Sequence, residues 1–326
     1  MDLDVDRERV RAALFGSKVR IAATALGSVA LLLGLAALLG VLGAPTVGSV
    51  QNSFGDVNDT TTVIETEMTV RNPNPFAIRL GGADVDYTVD MNEVRIARGS
   101  KQGLELESGN STLAFTTYMQ NERIPEWWYT HVRDGERTNV TVDATVDTLG
   151  RTVPFTSRTN VSTNLTAQFN SSETRPVESG IAFLDPVLYI NQTNGSWDRA
   201  NLTRQETPLN VTFRAYNPND VRFRVTRVGY EIRMNEVRVG EGESQRELDL
   251  PPRRTRNLTT YTAIRNANLD EWWVTHLRND QVTQVRIDFF AIVTVSGREA
   301  RVPLDPLDFE QTIRTDMFGT KNQTAG

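Results

Sequence analysis

The chain has no cysteine, which excludes disulfides, thiolate metal sites and a thiol nucleophile. Lysine is nearly missing too, since arginine supplies 32 of the 35 basic residues. Against 41 Asp and Glu the net charge is −6, so there is no basic excess to neutralise nucleic-acid phosphates. Aromatics make up 8 % of residues, too few for a base-stacking platform. The only histidines are His131 and His276. A metal centre needs several converging ligands, and neither half of the chain offers a His pair. No glycine-rich phosphate-cradling loop is present. The expectation is no enzyme, with no catalytic residue, no metal, no cofactor and no nucleic-acid partner.

One stretch lacks charge altogether. Residues 21–44 read IAATALGSVALLLGLAALLGVLGA. About 20 apolar residues cross a bilayer core as a helix, whereas the apolar core of a cleaved leader is about 7–15 residues. The run therefore predicts a transmembrane helix, although Gly43 and Ala44 leave cleavage open. Arg7, Arg9, Arg11, Lys18 and Arg20 precede it, and no Lys or Arg occurs from Pro45 to Val70. Positive charge stays in the cytoplasm, so the N-terminus is expected inside and the rest outside, as a single-pass cell-membrane protein.

Asn-x-Ser/Thr sequons accompany that topology. They fall at Asn58, Asn110, Asn139, Asn160, Asn164, Asn170, Asn191, Asn194, Asn201, Asn210, Asn257 and Asn322. Composition alone predicts roughly four, and all of these lie beyond the apolar run. N-glycosylation of surface loops would explain the excess; a Thr- and Asn-rich set of surface strands would explain it as well.

What the chain does contain, it contains twice. Arg71-Asn72-Pro73-Asn74 returns as Tyr216-Asn217-Pro218-Asn219, and Tyr87-Thr88-Val89-Asp90-Met91-Asn92-Glu93-Val94-Arg95 as Tyr230-Glu231-Ile232-Arg233-Met234-Asn235-Glu236-Val237-Arg238. Glu126-Trp127-Trp128-Tyr129-Thr130-His131 returns as Glu271-Trp272-Trp273-Val274-Thr275-His276. Such spacing marks a duplicated, domain-sized unit.

Within each copy Val85, Tyr87, Val89 and Met91, or Val228, Tyr230, Ile232 and Met234, alternate with polar residues. Val140, Val142, Ala144 and Val146 do likewise. Period-two alternation places one face on a core and the other in water. Further strands are expected at 63–70, 112–119, 209–215, 258–264 and 284–295. Many short alternating strands predict an antiparallel β-sandwich. One amphipathic helix interrupts each copy, with Ile124, Trp127, Trp128 and His131, or Leu269, Trp272, Trp273 and His276, on one stripe. Pro125 and Asp270-Glu271 suit a helix start. The Trp pairs are expected to plug one end or edge of each sandwich. His131 and His276 are expected at a core edge, the ring packed and one nitrogen bonded to backbone. In Asn-Pro-Asn, Pro removes a ladder donor while Asn closes a turn on its own backbone, giving a strand-to-strand turn or bulge.

Strand, Asn-Pro-Asn, Tyr-bearing strand, a short stretch with Gly (Arg98-Gly99, Val239-Gly240), amphipathic helix and closing strand together resemble the water stress and hypersensitive response (WHy) domain. That domain belongs to the group-2 late embryogenesis abundant, desiccation-related proteins. The resemblance covers residues 46–168 and 176–315. It implies two tandem seven-stranded, fibronectin-III-like (Ig-like) sandwiches with one helix each, in a family without established catalytic residues. The family's proline after the motif is Pro75 in the first copy but Asp220 in the second, so that turn is expected to differ.

The organisation expected is a cytoplasmic basic arm (1–20), the membrane helix (21–44), sandwich 1 (45–172), sandwich 2 (173–316) and a flexible tail (317–326). The function expected is a membrane-anchored, non-enzymatic surface protein of desiccation or stress tolerance. The alternative is an adhesion or assembly module binding an envelope protein or glycan.

Overall fold

The computed structural model describes residues 45–148, 151–177, 186, 188–225, 227–244, 247–295, 298–305 and 308–318. The expected cytoplasmic arm, the membrane span and the tail beyond 318, with Asn322, lie outside them. No helix among the described residues is long and apolar enough to cross a membrane. Two compact units emerge, one running to Thr163 and resuming at Arg314, the other from Asn164 to Ile313.

The first unit runs β1 (Thr46–Val57), β2 (Thr61–Asn72), β3 (Ile78–Met91), β4 (Val94–Leu106), β5 (Gly109–Gln120), α1 (Ile124–Arg133), β6 (Arg137–Thr148) and β7 (Arg151–Ser162). All pairings are antiparallel, in the order β1-β2-β5-β4-β3-β6-β7. β4 and β5 share only a short ladder, from Ala97 opposite Met119 to Ser100 opposite Thr116. The sheet therefore folds over at that seam into two layers. Met68, Val70, Leu113 and Phe115 from one layer meet Val85, Leu104, Ala144 and Val146 from the other in one core. This is the outcome of the alternation: along β2 every second residue from Thr62 to Asn72 is buried.

β3 and β4 are joined by a two-residue turn in which Asn92 and Glu93 take φ of 47° and 71°. Positive φ at both central residues gives the hairpin twist that matches the strands, and Asn tolerates that region better than most residues. Two pairs from the turn the ladder slips, between Val89 and Asp90, and the same slip recurs between Ile232 and Arg233 in the second unit. Each is a β-bulge built into the repeat.

The second unit contains β8 (Arg175–Val177), β9 (Leu188–Trp197), β10 (Glu206–Tyr216), β11 (Phe223–Val225), β12 (Val228–Met234), β13 (Val237–Ser244), β14 (Leu248–Leu250), β15 (Thr255–Arg265), α2 (Leu269–Arg278), β16 (Val282–Val295), β17 (Arg298–Pro303) and β18 (Phe309–Arg314). Its strands form β15-β10-β9-β8 and β13-β12-β16-β17, with β18 against β16 and β11 paired to β14. Phe213 of β10 and Phe289 of β16, both buried, meet edge-on across the layers with centroids 6.0 Å apart. Each unit is thus mainly antiparallel β, sandwich-like, with one α-helix.

The implied seven-strand plan fits the first unit, while the second adds β8 and β18 and splits the counterparts of β3 and β4. The break between β11 and β12 has a forerunner in the first unit, where the β3–β4 ladder slips between Leu80 and Asp84.

Candidate functional site

The Asn-Pro-Asn motifs are buried hydrogen-bonding nodes. Asn72 ends β2 with its side chain 2 % exposed. Its Nδ2 donates to the Phe76 carbonyl at 2.9 Å and to the Leu106 carbonyl, at the end of β4, at 3.2 Å. Its Oδ1 accepts from the Asn74 backbone N–H at 3.1 Å and from Asn74 Nδ2 at 2.9 Å. Asn217 repeats this with Val221 (2.7 Å), Leu250 (3.2 Å) and the Asn219 N–H (2.9 Å). Pro73 and Pro218 supply no N–H, so both Asn side chains are free to serve the turn. The copies diverge at the second Asn, where Asn219 Nδ2 reaches the Pro186 carbonyl at 2.9 Å, and one residue on, where Asp220 stands for Pro75 and pairs with Arg253 at 3.0 Å.

The helix stripes form a second node. α1 packs on β4 and β6, and α2 on β13 and β16. Trp128 and Trp273 are buried, whereas Trp127 and Trp272 are half-buried and donate Nε1–H to Thr138 Oγ1 (3.0 Å) and Thr283 Oγ1 (2.9 Å). His131, 1 % exposed, has Nδ1 2.8 Å from Thr138 Oγ1 and Nε2 2.8 Å from Thr163 Oγ1. Threonine hydroxyls thus flank the ring on both sides, and the expected backbone hydrogen bond is made as well, with Arg137. Thr163 gives its single hydroxyl proton to Glu136 Oε2 at 2.9 Å. Nε2 must therefore carry the imidazole proton, and Nδ1 accepts from Thr138. The proton donors run in one direction, Trp127 to Thr138 to His131 to Thr163 to the Glu136 carboxylate. Burial lowers the His131 pKa to about 4, outweighing the opposing pull of Glu136 and Asp134. His276 keeps the Thr contact, Nδ1 to Thr283 Oγ1 at 2.7 Å, and Gln281 stands where Glu136 does. The ring is thus a neutral, packed bridge between helix, β6 and the segment after β7. Among the described residues no three His, Cys, Asp or Glu side chains are grouped to hold a metal ion.

Other hydrogen-bonded pins recur in both copies, and their partners were not legible in the sequence. Thr62 Oγ1 donates to Asn121 Oδ1 at 2.8 Å, as Thr207 does to Asn266. Asn92 Oδ1 accepts from the Asn139 N–H at 2.7 Å, and Asn235 Oδ1 from the Gln284 N–H at 2.9 Å. Their only sequence signal is recurrence at the repeat spacing.

Of the sequon residues, Asn58, Asn110, Asn139, Asn160, Asn164, Asn170, Asn194, Asn201 and Asn257 are exposed, while Asn191 and Asn210 are half-buried.

One open groove of about 590 Å³ lies on the outer face of the first unit. Register builds it: Tyr118 of β5 stands opposite Arg98 of β4, which pairs with Thr88 of β3, then Asp143 of β6, then Thr156 of β7. The neighbouring row carries Ser100, Asp86, Thr145 and Pro154. Beneath the floor, Tyr87 lies over Gly99, its hydroxyl 2.7 Å from Thr117 Oγ1 and donating to the Thr116 carbonyl at 3.3 Å. The second unit repeats that support with Tyr230 opposite Gly242, so Gly242 rather than Gly240 is the counterpart of Gly99.

Residues 67–164 and 212–306 each match the family model described as late embryogenesis abundant protein. No curated protein matches the chain. Among solved structures it is similar to a protein from Archaeoglobus fulgidus, at 22 % identity over 39 % of this chain and 98 % of that one, TM-score 0.34. A second, from Arabidopsis thaliana, is 15 % identical over 36 % of this chain and 80 % of that one, TM-score 0.28. A β-glucuronidase from Bacteroides uniformis aligns at 8 % identity over 77 % of this chain and 26 % of its own, TM-score 0.24.

Proposed function

Because this chain belongs to the late embryogenesis abundant protein family and carries two copies of its domain in tandem, we propose that it is a membrane-anchored, non-enzymatic surface protein of desiccation or stress tolerance. The observation that carries the reading is what the copies share. Their common polar residues, Asn72 and Asn217, His131 and His276, Thr138 and Thr283, are spent on buried hydrogen bonds inside each unit. Chemistry on a substrate would need such groups to face a cleft. The uncharged run at 21–44, the basic residues before it and the sequons beyond it support an anchor with both fibronectin-III-like domains outside. A stable, polar, anchored layer in contact with membrane or envelope components would limit damage during water loss. The same architecture would serve an adhesion or assembly module for an envelope protein or glycan; recovery of one stoichiometric partner from envelope extracts favours that reading.

The test is protease accessibility on intact cells with mass mapping, alongside survival of a deletion strain after desiccation and salt shift. The reading expects peptides from Gln51 onward to be released and survival to fall. Full protection of both domains would refute the surface placement, and unchanged survival would refute the protective role.

A further inference from the structure

In a duplicated protein, features kept in both copies are those the fold needs, and features confined to one copy are free to serve something else. The groove on the first unit belongs to the second kind. Asp86 and Arg98 have no hydrogen-bond or ion-pair partner among the described residues, and Tyr118 is 51 % exposed. In the second unit register places Gly229 where Asp86 stands and Phe290 where Thr145 stands. Ala263 replaces Tyr118, since each lies opposite the matching β2 or β10 position, Val63 and Pro208. There the floor is plugged: Phe290 lies so close over Gly229 that a Cβ would meet its ring at 2.0 Å, and Arg301 stacks on the ring at 4.5 Å. The acids on that face are paired as well, Glu241 with Arg238 and Arg265, and Asp288, the counterpart of Asp143, with Arg286, whereas Asp143 accepts from the Thr156 hydroxyl.

We infer that the groove of the first unit is a saccharide-binding site, with Tyr118, Arg98, Asp86 and Asp143 as its contact residues. The four strands β4, β3, β6 and β7, about 4.8 Å apart, make a row about 14 Å long with Tyr118 at its end across the fold, which fits a short oligosaccharide better than a single sugar. The electron-rich face of Tyr118 accepts the polarised C–H edge of a pyranose ring. Asp86 and Asp143 accept hydrogen bonds from neighbouring hydroxyls, and Arg98 donates to ring or hydroxyl oxygens. A protein partner would need a buried apolar or aromatic centre, and Tyr118 is the one large hydrophobic exposed along this groove. A carboxylate on each side of the floor disfavours an anionic chain, so the ligand is a neutral glycan. This inference stands on the groove itself and holds whether the chain protects cells or attaches them.

The experiment is calorimetric titration of the full chain in detergent with maltohexaose, cellohexaose and mannohexaose, each taken to millimolar concentration. At least one should bind with a stoichiometry of one. Tyr118→Ala should weaken that binding about fivefold, since an aromatic contact of this kind contributes about 1 kcal/mol, while Tyr118→Phe should retain it. Asp86→Gly with Thr145→Phe, which transplants the second unit's plug, should abolish it. Thermal unfolding checks that each variant folds, and each installs a residue the sister unit already carries or keeps the ring. Binding of none of the three glycans, or binding that survives both Tyr118→Ala and the plug, overturns the inference. So does capture of a stoichiometric envelope protein that is lost in Tyr118→Ala, which would make the groove a protein site. None of these outcomes touches the protease or survival tests.

Discussion

At the residue scale, the side chains with the tightest steric and hydrogen-bonding demands are those that recur. A Cβ on Gly99 would sit 2.2 Å from the Tyr87 ring and 2.8 Å from the Thr116 carbonyl, which is backbone and cannot swing aside. Gly99→Ala is therefore expected to destabilise the first unit by about 1–3 kcal/mol, the usual cost of overpacking, measured by urea unfolding. No loss would mean that Tyr87 is not held over the glycine. Asn72 is the second case. Asn72→Ala strands the Phe76 and Leu106 carbonyls and the Asn74 N–H, a loss of roughly 1–3 kcal/mol. Asn72→Asp keeps the acceptor but turns the donor into a carboxylate facing two carbonyls, so it should be no better tolerated. An Asp variant as stable as wild type would show that the donor bonds contribute nothing. The recurrence of Asn-Pro-Asn was plain in the sequence. Which carbonyls it serves was not, because Leu106 lies 34 residues from Asn72 and is brought there by the β3–β4 hairpin.

At the scale of elements, period decided what could be read. β2, β5, β10, β12 and both helices carry clean periods, and each stands where its pattern put it. β1 was not legible, since Gly48, Ser49, Gln51, Asn52, Ser53 and Gly55 blur the two faces and leave no apolar alternation. β4 was hidden by its bulge, which puts Ile96 and Ala97 in the core side by side. The helices show a finer difference. The stripe treats both tryptophans of each pair as equivalent, yet Trp128 and Trp273 are 4 % and 3 % exposed while Trp127 and Trp272 lie at the rim. Truncation of Trp128 or Trp273 to Ala should cost its own unit about 3–5 kcal/mol. Trp127→Phe keeps an aromatic ring at the rim but removes the Nε1–H bond to Thr138 and part of the indole, and should cost less, about 1–2 kcal/mol. Chemical denaturation of the three single variants checks the order, and equal losses at Trp127→Phe and Trp128→Ala would contradict it.

At the scale of the whole molecule, duplication has let the two units drift apart in charge while keeping one fold. The first holds its helix with a buried neutral histidine beside Glu136, and the second places Gln281 at that point. In turn the second half-buries Asp308, whose carboxylate accepts from the Phe289 N–H at 2.7 Å. Desolvation raises that carboxyl to about 6, with Asp288 and Asp305 adding to it. These residues bear on stability with opposite sign. His131 titrates near 4 folded and near 6.5 unfolded, so between those values the unfolded chain binds more protons and acid weakens the first unit, by up to about 3 kcal/mol at pH 4. Asp308 titrates near 6 folded and near 3.8 unfolded, so between those values the folded chain binds more protons. Acidification through that window then adds to the second unit's stability, and neutral pH removes the gain. Amide hydrogen exchange followed separately in β5 and β15 from pH 6.5 to 4, corrected for intrinsic rates, should show protection falling in β5 relative to β15. His131→Gln should flatten the β5 trend and Asp308→Asn the β15 trend. Parallel trends in both strands, unchanged by either substitution, would mean that neither group governs its unit's response to acid.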